Sequence, residues 1–218
     1  MTDDATPVLY GAGYSVYTRI ARLAFAEKGV PYRLVETDVF AAGGPRPDYR
    51  ERHPFGRIPA LDHAGFLLYE TAAITRYIDE AFPGPQLQPG GAGARSRMTQ
   101  IVSLLDSYGY RSMVWDVYVE RVSAGEEGRT SDEARIAAGI ARSTVVLREL
   151  ERMIDTNEFL AGDSITLADL HAAPMIAYFR IAPEGAGLLS CHPRLTGWWE
   201  RMNRRPTLQG TAFAREKG

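Results

Sequence analysis

The sequence predicts two domains, a mixed α/β domain followed by an all-α helical domain. Strand-like and helix-like segments alternate up to residue 84, whereas every periodic segment beyond residue 93 has helical spacing. Between them, residues 85–93 hold two prolines and three glycines, which is the composition of a linker. The predicted division is therefore 1–84, 85–93 and 94–218, within a chain of 218 residues that is long enough for a proper core.

Composition and charge restrict the class of protein. Hydrophobic residues make up 45% of the chain and charged residues 24%, as in ordinary globular proteins, and the net charge of -2 gives no reason to expect nucleic acid or an anionic membrane as a partner. No apolar run has membrane-spanning length, and residues 1–4 are acidic where a signal peptide is basic. The single Cys191 excludes an intrachain disulfide, and His171 and His192 are isolated, so we expect no metal site. A cytoplasmic location is predicted.

The order of elements in the first domain is typical of a thioredoxin-like fold. An apolar run at 8–10 predicts a strand, and 32–37 predicts the next. The helix between them ends at Gly29 and has four apolar residues on one face: Val16, Ile20, Leu23 and Ala24. After a flexible loop at 41–47, two short apolar runs around a turn predict a hairpin, and a helix follows. The turn at 11–13 lacks the third glycine of a dinucleotide-binding fingerprint.

The second domain contains two predicted helix starts of the capping-box type. One is Thr130-x-x-Glu133, and the other is Thr166-Leu167-Ala168-Asp169. Before them, apolar residues at helical spacing from Ile101 onward predict a helix that continues to about Val122. We interpret Thr166 and Asp169 as structural capping residues and not as catalysts.

The residues from His53 to Thr71 carry the strongest functional signal. Proline removes a backbone donor and cis bonds are essentially confined to X-Pro, so Ile58-Pro59 before a strand is a candidate for a fixed, exposed backbone edge. Glu70-Thr71 opens the following helix. A helix N-terminus with a hydroxyl residue, beside such an edge, can hold a carboxylate and a peptide backbone.

Two motifs resemble the cytosolic glutathione transferase superfamily. Residues 54–61, Pro-Phe-Gly-x-Ile-Pro-Ala-Leu, followed by Glu70-Thr71, resemble its glutathione-binding half, and residues 159–169 resemble the sequence before its buried sixth helix. The resemblance covers both domains in the family's order. It implies that Pro59 is cis, that Ile58 pairs its backbone with the cysteinyl part of glutathione, and that Glu70 and Thr71 hold the γ-glutamyl end.

This sequence departs from the family at three positions in that region. Arg57 stands where many members have Gln, and we count it among the residues that bind glutathione. The His-Lys pair that phi-like members carry is absent; Arg46, which lies nearby, could pair with the glycyl carboxylate as a charge-assisted contact, although a solvated loop charge is the favoured interpretation. His53 replaces the usual Asn, and a turn-capping role is the favoured interpretation.

Ser15 is the predicted catalytic residue. Residues 15–19, Ser-Val-Tyr-Thr-Arg, are similar to the Ser-x-x-Cys-Arg of theta- and delta-like members and loosely to phi-like ones, which predicts a serine-type, bacterial member. A hydroxyl donor and a helix N-terminus both favour the thiolate of glutathione. The alternative is that Ser15 only caps the helix, a role that we expect to compete for the hydroxyl. Tyr10 is the main rival for the thiol, and no cysteine for disulfide chemistry lies in this region.

The resemblance implies conjugation of the glutathione thiolate to small hydrophobic electrophiles, a detoxification activity, in a cytosolic homodimer. An apolar wall for the electrophile is expected between the domains, with four candidate residues: Val16, Met113, Trp115 and Tyr118. Tyr178 is a weaker candidate. Two alternatives remain open, a non-catalytic interaction module of the same fold and a dedicated glutathione-dependent dehalogenase or isomerase.

Overall fold

The computed structural model describes residues 6–213. Contacts within the chain form two compact units. The first consists of the residues up to Gln86 together with the segment that begins at Gly210, and the second is Leu87–Gln209.

The first unit contains a four-stranded mixed sheet, which confirms the thioredoxin-like fold. Its strands are β1 (Val8–Gly11), β2 (Arg33–Glu36), β3 (Ala60–His63) and β4 (Phe66–Tyr69). They lie in the order β2-β1-β3-β4, with β1 parallel to β2 and antiparallel to β3, and β3 antiparallel to β4. Helix α1 is Val16–Lys28, a 3₁₀ helix covers Pro47–Glu51, and α2 is Thr71–Ala81.

Helix α1 has clear sequence signals at both ends. Ser15 is its N-cap, with an extended backbone at ψ 126°. Gly29 ends it in the left-handed conformation at φ 67°, which glycine adopts without steric cost, and its N–H bonds the carbonyl of Ala26 at 3.1 Å. The predicted apolar face is buried, since Ile20 and Leu23 are both 0% exposed. The site residues that precede α1 are thus attached to a firmly packed helix.

The second unit is helical throughout, as predicted. Its elements are α3 (Ala92–Leu104), a π-helical continuation (Leu105–Ser123), α4 (Ala124–Glu126), α5 (Glu133–Ile154), α6 (Leu167–Phe179), α7 (Pro183–Ser190), α8 (Pro193–Asn203) and α9 (Pro206–Gly210), whose last residue belongs to the first unit. In the part of the chain that the structure covers, no helix combines the length and the apolar character needed to cross a bilayer.

Helix α6 is fully buried and begins with the predicted capping box. Asp169 is 0% exposed and accepts hydrogen bonds from the Thr166 N–H at 2.8 Å and the Thr166 hydroxyl at 2.9 Å. The same carboxylate accepts from the Leu160 N–H at 2.9 Å and from the Trp198 indole N–H at 2.8 Å. Asp169 therefore joins the start of α6 to the preceding loop and to α8.

The other predicted capping box is wrong. The N-cap of α5 is Asp132 and not Thr130, because the Asp132 carboxylate accepts the Arg135 N–H at 3.0 Å. Glu133, the expected partner of Thr130, instead pairs with Arg121 at 2.7 Å. An acidic residue directly before the helix outcompetes a threonine two positions earlier, because only the former has the right reach to the first-turn N–H groups.

Candidate active site

The register of the sheet brings the predicted site segments together at one end of its strands. Ala60, the first residue of β3, pairs with Tyr10 near the end of β1 and with Tyr69 at the end of β4. Because β3 is antiparallel to both neighbours, the chain that enters β3 lies beside the chain that leaves β1 and β4. Three segments meet there: residues 11–15, 57–59 and 70–71.

The segment that enters β3 has the expected backbone form. The Ile58–Pro59 bond is cis, as the resemblance implied. Pro59 is buried, Ile58 is half-buried and Arg57 is exposed. Among residues 6–213, no hydrogen bond is made by the backbone N–H or C=O of Ile58. This edge is therefore open to an extended backbone that could pair with it.

Glu70 and Thr71 form the start of α2 beside that edge. Glu70 is the N-cap and has a φ of 71°, in the left-handed region that non-glycine residues seldom occupy. Such strain concentrates at ligand-binding positions, where surrounding structure maintains it. Thr71 is 6% exposed, and Ile74 makes the first-turn bond from its N–H to the Glu70 carbonyl at 2.9 Å. The N–H groups of this first turn suit an anionic group.

Ser15 is held at the start of α1 by hydrogen bonds on both sides. Its N–H donates to the Ala12 carbonyl at 3.0 Å, and its Oγ accepts the Thr18 N–H at 3.2 Å. A hydroxyl has one donor and two acceptor lone pairs. The helix cap uses an acceptor lone pair of the Ser15 Oγ, whereas a thiolate would accept a hydrogen bond from the Ser15 O–H. The two roles are therefore compatible, in contrast to the competition expected from the sequence. Within the described residues no acceptor takes this O–H.

Tyr10 has a different environment. The Arg52 guanidinium lies 4.8 Å from its ring centroid, and the Tyr49 ring centroid lies 6.4 Å away. The interaction with the Tyr10 side chain is the main reason that the pKa of Arg52 lies above its ordinary value. Tyr10 thus takes part in an aromatic and cationic cluster beside the 3₁₀ helix. The choice between Ser15 and Tyr10 as thiol partner stays a prediction.

Arg46 and His53 differ in their exposure. The Arg46 side chain is 87% exposed, and its Nε contacts the Asp48 carboxylate at 3.3 Å. His53 is 2% exposed, and its ring centroid lies 4.9 Å from that of Tyr69. Its Nδ1 has no hydrogen-bond partner in the described structure, so this nitrogen does not cap the turn as expected. Burial lowers the pKa of His53 below its ordinary value.

The residues proposed for the electrophile wall are mostly buried. Val16 and Tyr118 are each 3% exposed and Met113 is 0% exposed, whereas Trp115 is half-buried. The ring centroids of Tyr118 and Tyr178 lie 4.9 Å apart in a T-shaped arrangement. Their role toward an electrophile stays a prediction.

Sequence reasoning missed the 3₁₀ helix and its Tyr49, which is 3% exposed. Pro47 at the first helical position is a helix-start signal that could have located this element. No sequence pattern, however, could have shown that the Tyr49 hydroxyl donates to the Arg57 carbonyl at 2.7 Å.

Comparison with known proteins agrees with this architecture. Residues 9–86 match the family "Glutathione S-transferase, N-terminal domain", and residues 113–206 match "Glutathione S-transferase, C-terminal domain". Glutathione S-transferase 4 of Zea mays is 30% identical over 95% of this chain and 93% of its own. The chain therefore belongs to the glutathione S-transferase family.

Solved structures support the same assignment. The crystal structure of glutathione transferase F7 from Populus trichocarpa has a TM-score of 0.85 and 28% identity, and the match covers 98% of this chain and 100% of that one. Glutathione S-transferase I from maize, in complex with an atrazine glutathione conjugate, has a TM-score of 0.83 and 25% identity, with coverage of 95% and 96%.

Proposed function

We propose that this protein is a glutathione S-transferase that conjugates the glutathione thiolate to small hydrophobic electrophiles. The sulfur forms a bond to an electrophilic carbon, and the electrons leave with a displaced group or enter an activated double bond. The observation that carries the proposal is the register around Ala60, which brings residues 11–15, 57–59 and 70–71 to one sheet edge.

Each segment has a proposed part in holding the tripeptide. Ile58, before Pro59, offers its unpaired backbone N–H and C=O to the cysteinyl unit. Glu70 pairs with the γ-glutamyl ammonium, and Thr71 with the α2 N-terminus takes the carboxylate. Arg46 and Arg57 are the candidates for the glycyl carboxylate end, and both are exposed and able to reorient.

Ser15 is the proposed thiolate-stabilising group, as a hydrogen-bond donor and not as a nucleophile. The free O–H at the start of α1 supports this role, because a donor and a helix N-terminus both favour the anion. The apolar electrophile wall is proposed to include Val16, Met113, Trp115 and Tyr118. The maize enzyme that holds an atrazine conjugate supports this class of electrophile.

The first test removes the charge of Glu70. We expect Glu70→Gln to raise the KM for glutathione about tenfold, because a hydrogen bond to a charged group contributes about 1.5 kcal/mol or more. Conjugation of glutathione to chlorodinitrobenzene is followed spectrophotometrically. Glu80→Gln is the matched control, since Glu80 lies on the same helix and pairs with Arg76 on the surface.

Binding to immobilised glutathione distinguishes this proposal from a non-catalytic module of the same fold. We expect the unmodified protein to be retained on the resin and to be eluted by free glutathione. A protein that neither binds the resin nor forms the conjugate would contradict the proposed function. Equal KM values for Glu70→Gln and Glu80→Gln would remove Glu70 from the site.

We also propose a homodimer acting in detoxification in the cytoplasm. Support comes from exposed apolar side chains on and near β4. Among residues 6–213, the only strand partner of β4 is β3. Phe55, Phe66, Leu67 and Tyr69 are 68%, 50%, 44% and 37% exposed. Exposed apolar side chains on an open edge strand are typically covered by a partner.

Light scattering tests the dimer. We expect the unmodified protein to have twice the mass of one chain and Phe55→Ser to shift it toward a single chain. Phe40→Ser is the matched control, because Phe40 is also 68% exposed but lies in the loop after β2. A single-chain mass for the unmodified protein would contradict the dimer.

A further inference from the structure

Tyr49 reaches from the 3₁₀ helix Pro47–Glu51 to the backbone that enters β3. Its side chain is almost wholly buried, at 3% exposed. The hydroxyl donates a hydrogen bond to the main-chain carbonyl of Arg57, with an oxygen–oxygen distance of 2.7 Å. The Tyr49 side chain therefore holds the peptide unit between Arg57 and Ile58, eight positions further along the chain.

The segment between Tyr49 and Arg57 is closed by further hydrogen bonds. The Tyr49 carbonyl accepts the N–H groups of Arg52 at 2.9 Å and His53 at 3.0 Å. The Gly56 N–H then donates to the His53 carbonyl at 2.8 Å, in a turn where Gly56 has a φ of 61°. Tyr49 thus holds both ends of this loop, one through its backbone and the other through its hydroxyl.

The bond to Arg57 controls the orientation of Ile58. The Arg57 carbonyl and the Ile58 N–H belong to one planar peptide unit, which is trans. In such a unit the C=O and N–H point in opposite directions, so fixing one fixes the other. A donor on the carbonyl also polarises the amide and makes its N–H a stronger donor. In the described structure this N–H has no partner of its own.

The Tyr49 hydroxyl remains a donor over the working pH range. Burial raises the pKa of Tyr49 above its ordinary value, and the charge of Arg52 opposes that rise only in part. Ionisation of the phenol, which would abolish the bond, is therefore disfavoured.

We propose that Tyr49 is a positioning residue for glutathione: by holding the Arg57 carbonyl, its hydroxyl directs the Ile58 N–H toward the cysteinyl carbonyl of the tripeptide. This inference rests on the proposed function and adds a residue that does not itself touch glutathione. Its consequence is a selective effect on glutathione affinity, because the Ile58 N–H contacts the cysteinyl backbone and not the reacting sulfur.

Tyr49→Phe removes the hydroxyl and keeps the buried ring. We expect the KM and the calorimetric Kd for glutathione to rise about three- to tenfold, the range that corresponds to one lost neutral hydrogen bond. At saturating glutathione, kcat is expected to change less than twofold. In the free protein, the backbone amide resonance of Ile58 is expected to shift in nitrogen–proton correlation spectra.

Tyr77→Phe is the matched control for loss of a tyrosine hydroxyl. The Tyr77 hydroxyl bonds His63 Nδ1 at 2.8 Å, and His63 is at the far end of β3 from Ala60. We expect this variant to leave the KM and the Ile58 amide unchanged. The same KM in Tyr49→Phe and the unmodified protein, with an unmoved Ile58 amide, would overturn the inference while leaving the proposed function intact. A folded, unmodified protein that does not bind glutathione would overturn both.

Discussion

Ser15→Ala is expected to lower kcat/KM for conjugation about 10- to 100-fold at about pH 6.5, because a hydrogen bond to a charged group contributes about 1.5–3 kcal/mol. The loss is expected to shrink as pH rises, since above the raised thiol pKa the sulfur ionises without help from a donor. A pH profile of kcat/KM for both proteins measures this convergence.

Two further variants test the Ser15 hydroxyl separately from the helix cap and from Tyr10, the rival candidate for the thiol. Alanine at an N-cap costs about 1 kcal/mol of stability whereas glycine costs only a few tenths, so Ser15→Gly removes the hydroxyl and largely keeps the helix start. We expect Ser15→Gly and Ser15→Ala to lose the same activity. Tyr10→Phe is expected to change turnover little. Unchanged turnover in both Ser15 variants, or a large loss in Tyr10→Phe, would reverse the assignment.

Asp169→Ala is expected to lower the free energy of unfolding by about 4 kcal/mol or more, because buried donors left without an acceptor cost about 1–3 kcal/mol each. The donors affected are the N–H groups of Leu160 and Thr166, the Thr166 hydroxyl and the indole N–H of Trp198. The free energy of unfolding of a domain is typically about 5–15 kcal/mol, so this substitution is expected to remove a large fraction of the total stability. Urea unfolding followed by fluorescence measures the change.

Two controls accompany that substitution. Asp169→Asn keeps one carbonyl oxygen and is expected to lose about half as much stability, because an amide can still accept from some of these donors. Asp163 is an exposed acid in the preceding loop, and Asp163→Ala is expected to stay within about 0.5 kcal/mol of the unmodified protein. An Asp169→Ala variant as stable as Asp163→Ala would show that the buried carboxylate does not organise α6.

Features set by local chemistry were predictable from the sequence. Gly29 ends α1 and Thr166 with Asp169 opens α6, because each signal acts through atoms only a few residues apart. Failures occurred where two local signals compete, as at α5, where Asp132 takes the capping role predicted for Thr130. The division into 1–84, 85–93 and 94–218 stays a prediction.

The candidate site was predictable only in part. Motif spacing indicated Ser15, Ile58 and Glu70, but their common edge depends on the pairing of Ala60 with two other strands. Pairing between distant segments leaves little trace in a single sequence. The same limit applies to Tyr49, whose bond to Arg57 depends on how the intervening loop closes.

The central claim, that a serine hydroxyl keeps the glutathione sulfur anionic, is tested most directly by titrating the bound thiol. With the protein saturated in glutathione, ultraviolet difference spectra report the thiolate as pH is raised. We predict a pKa below the free value of about 8.5 in the unmodified protein. In Ser15→Gly we predict a value about 1–2 units higher, the equivalent of one lost charged hydrogen bond. Identical titration curves for the two proteins would contradict the account.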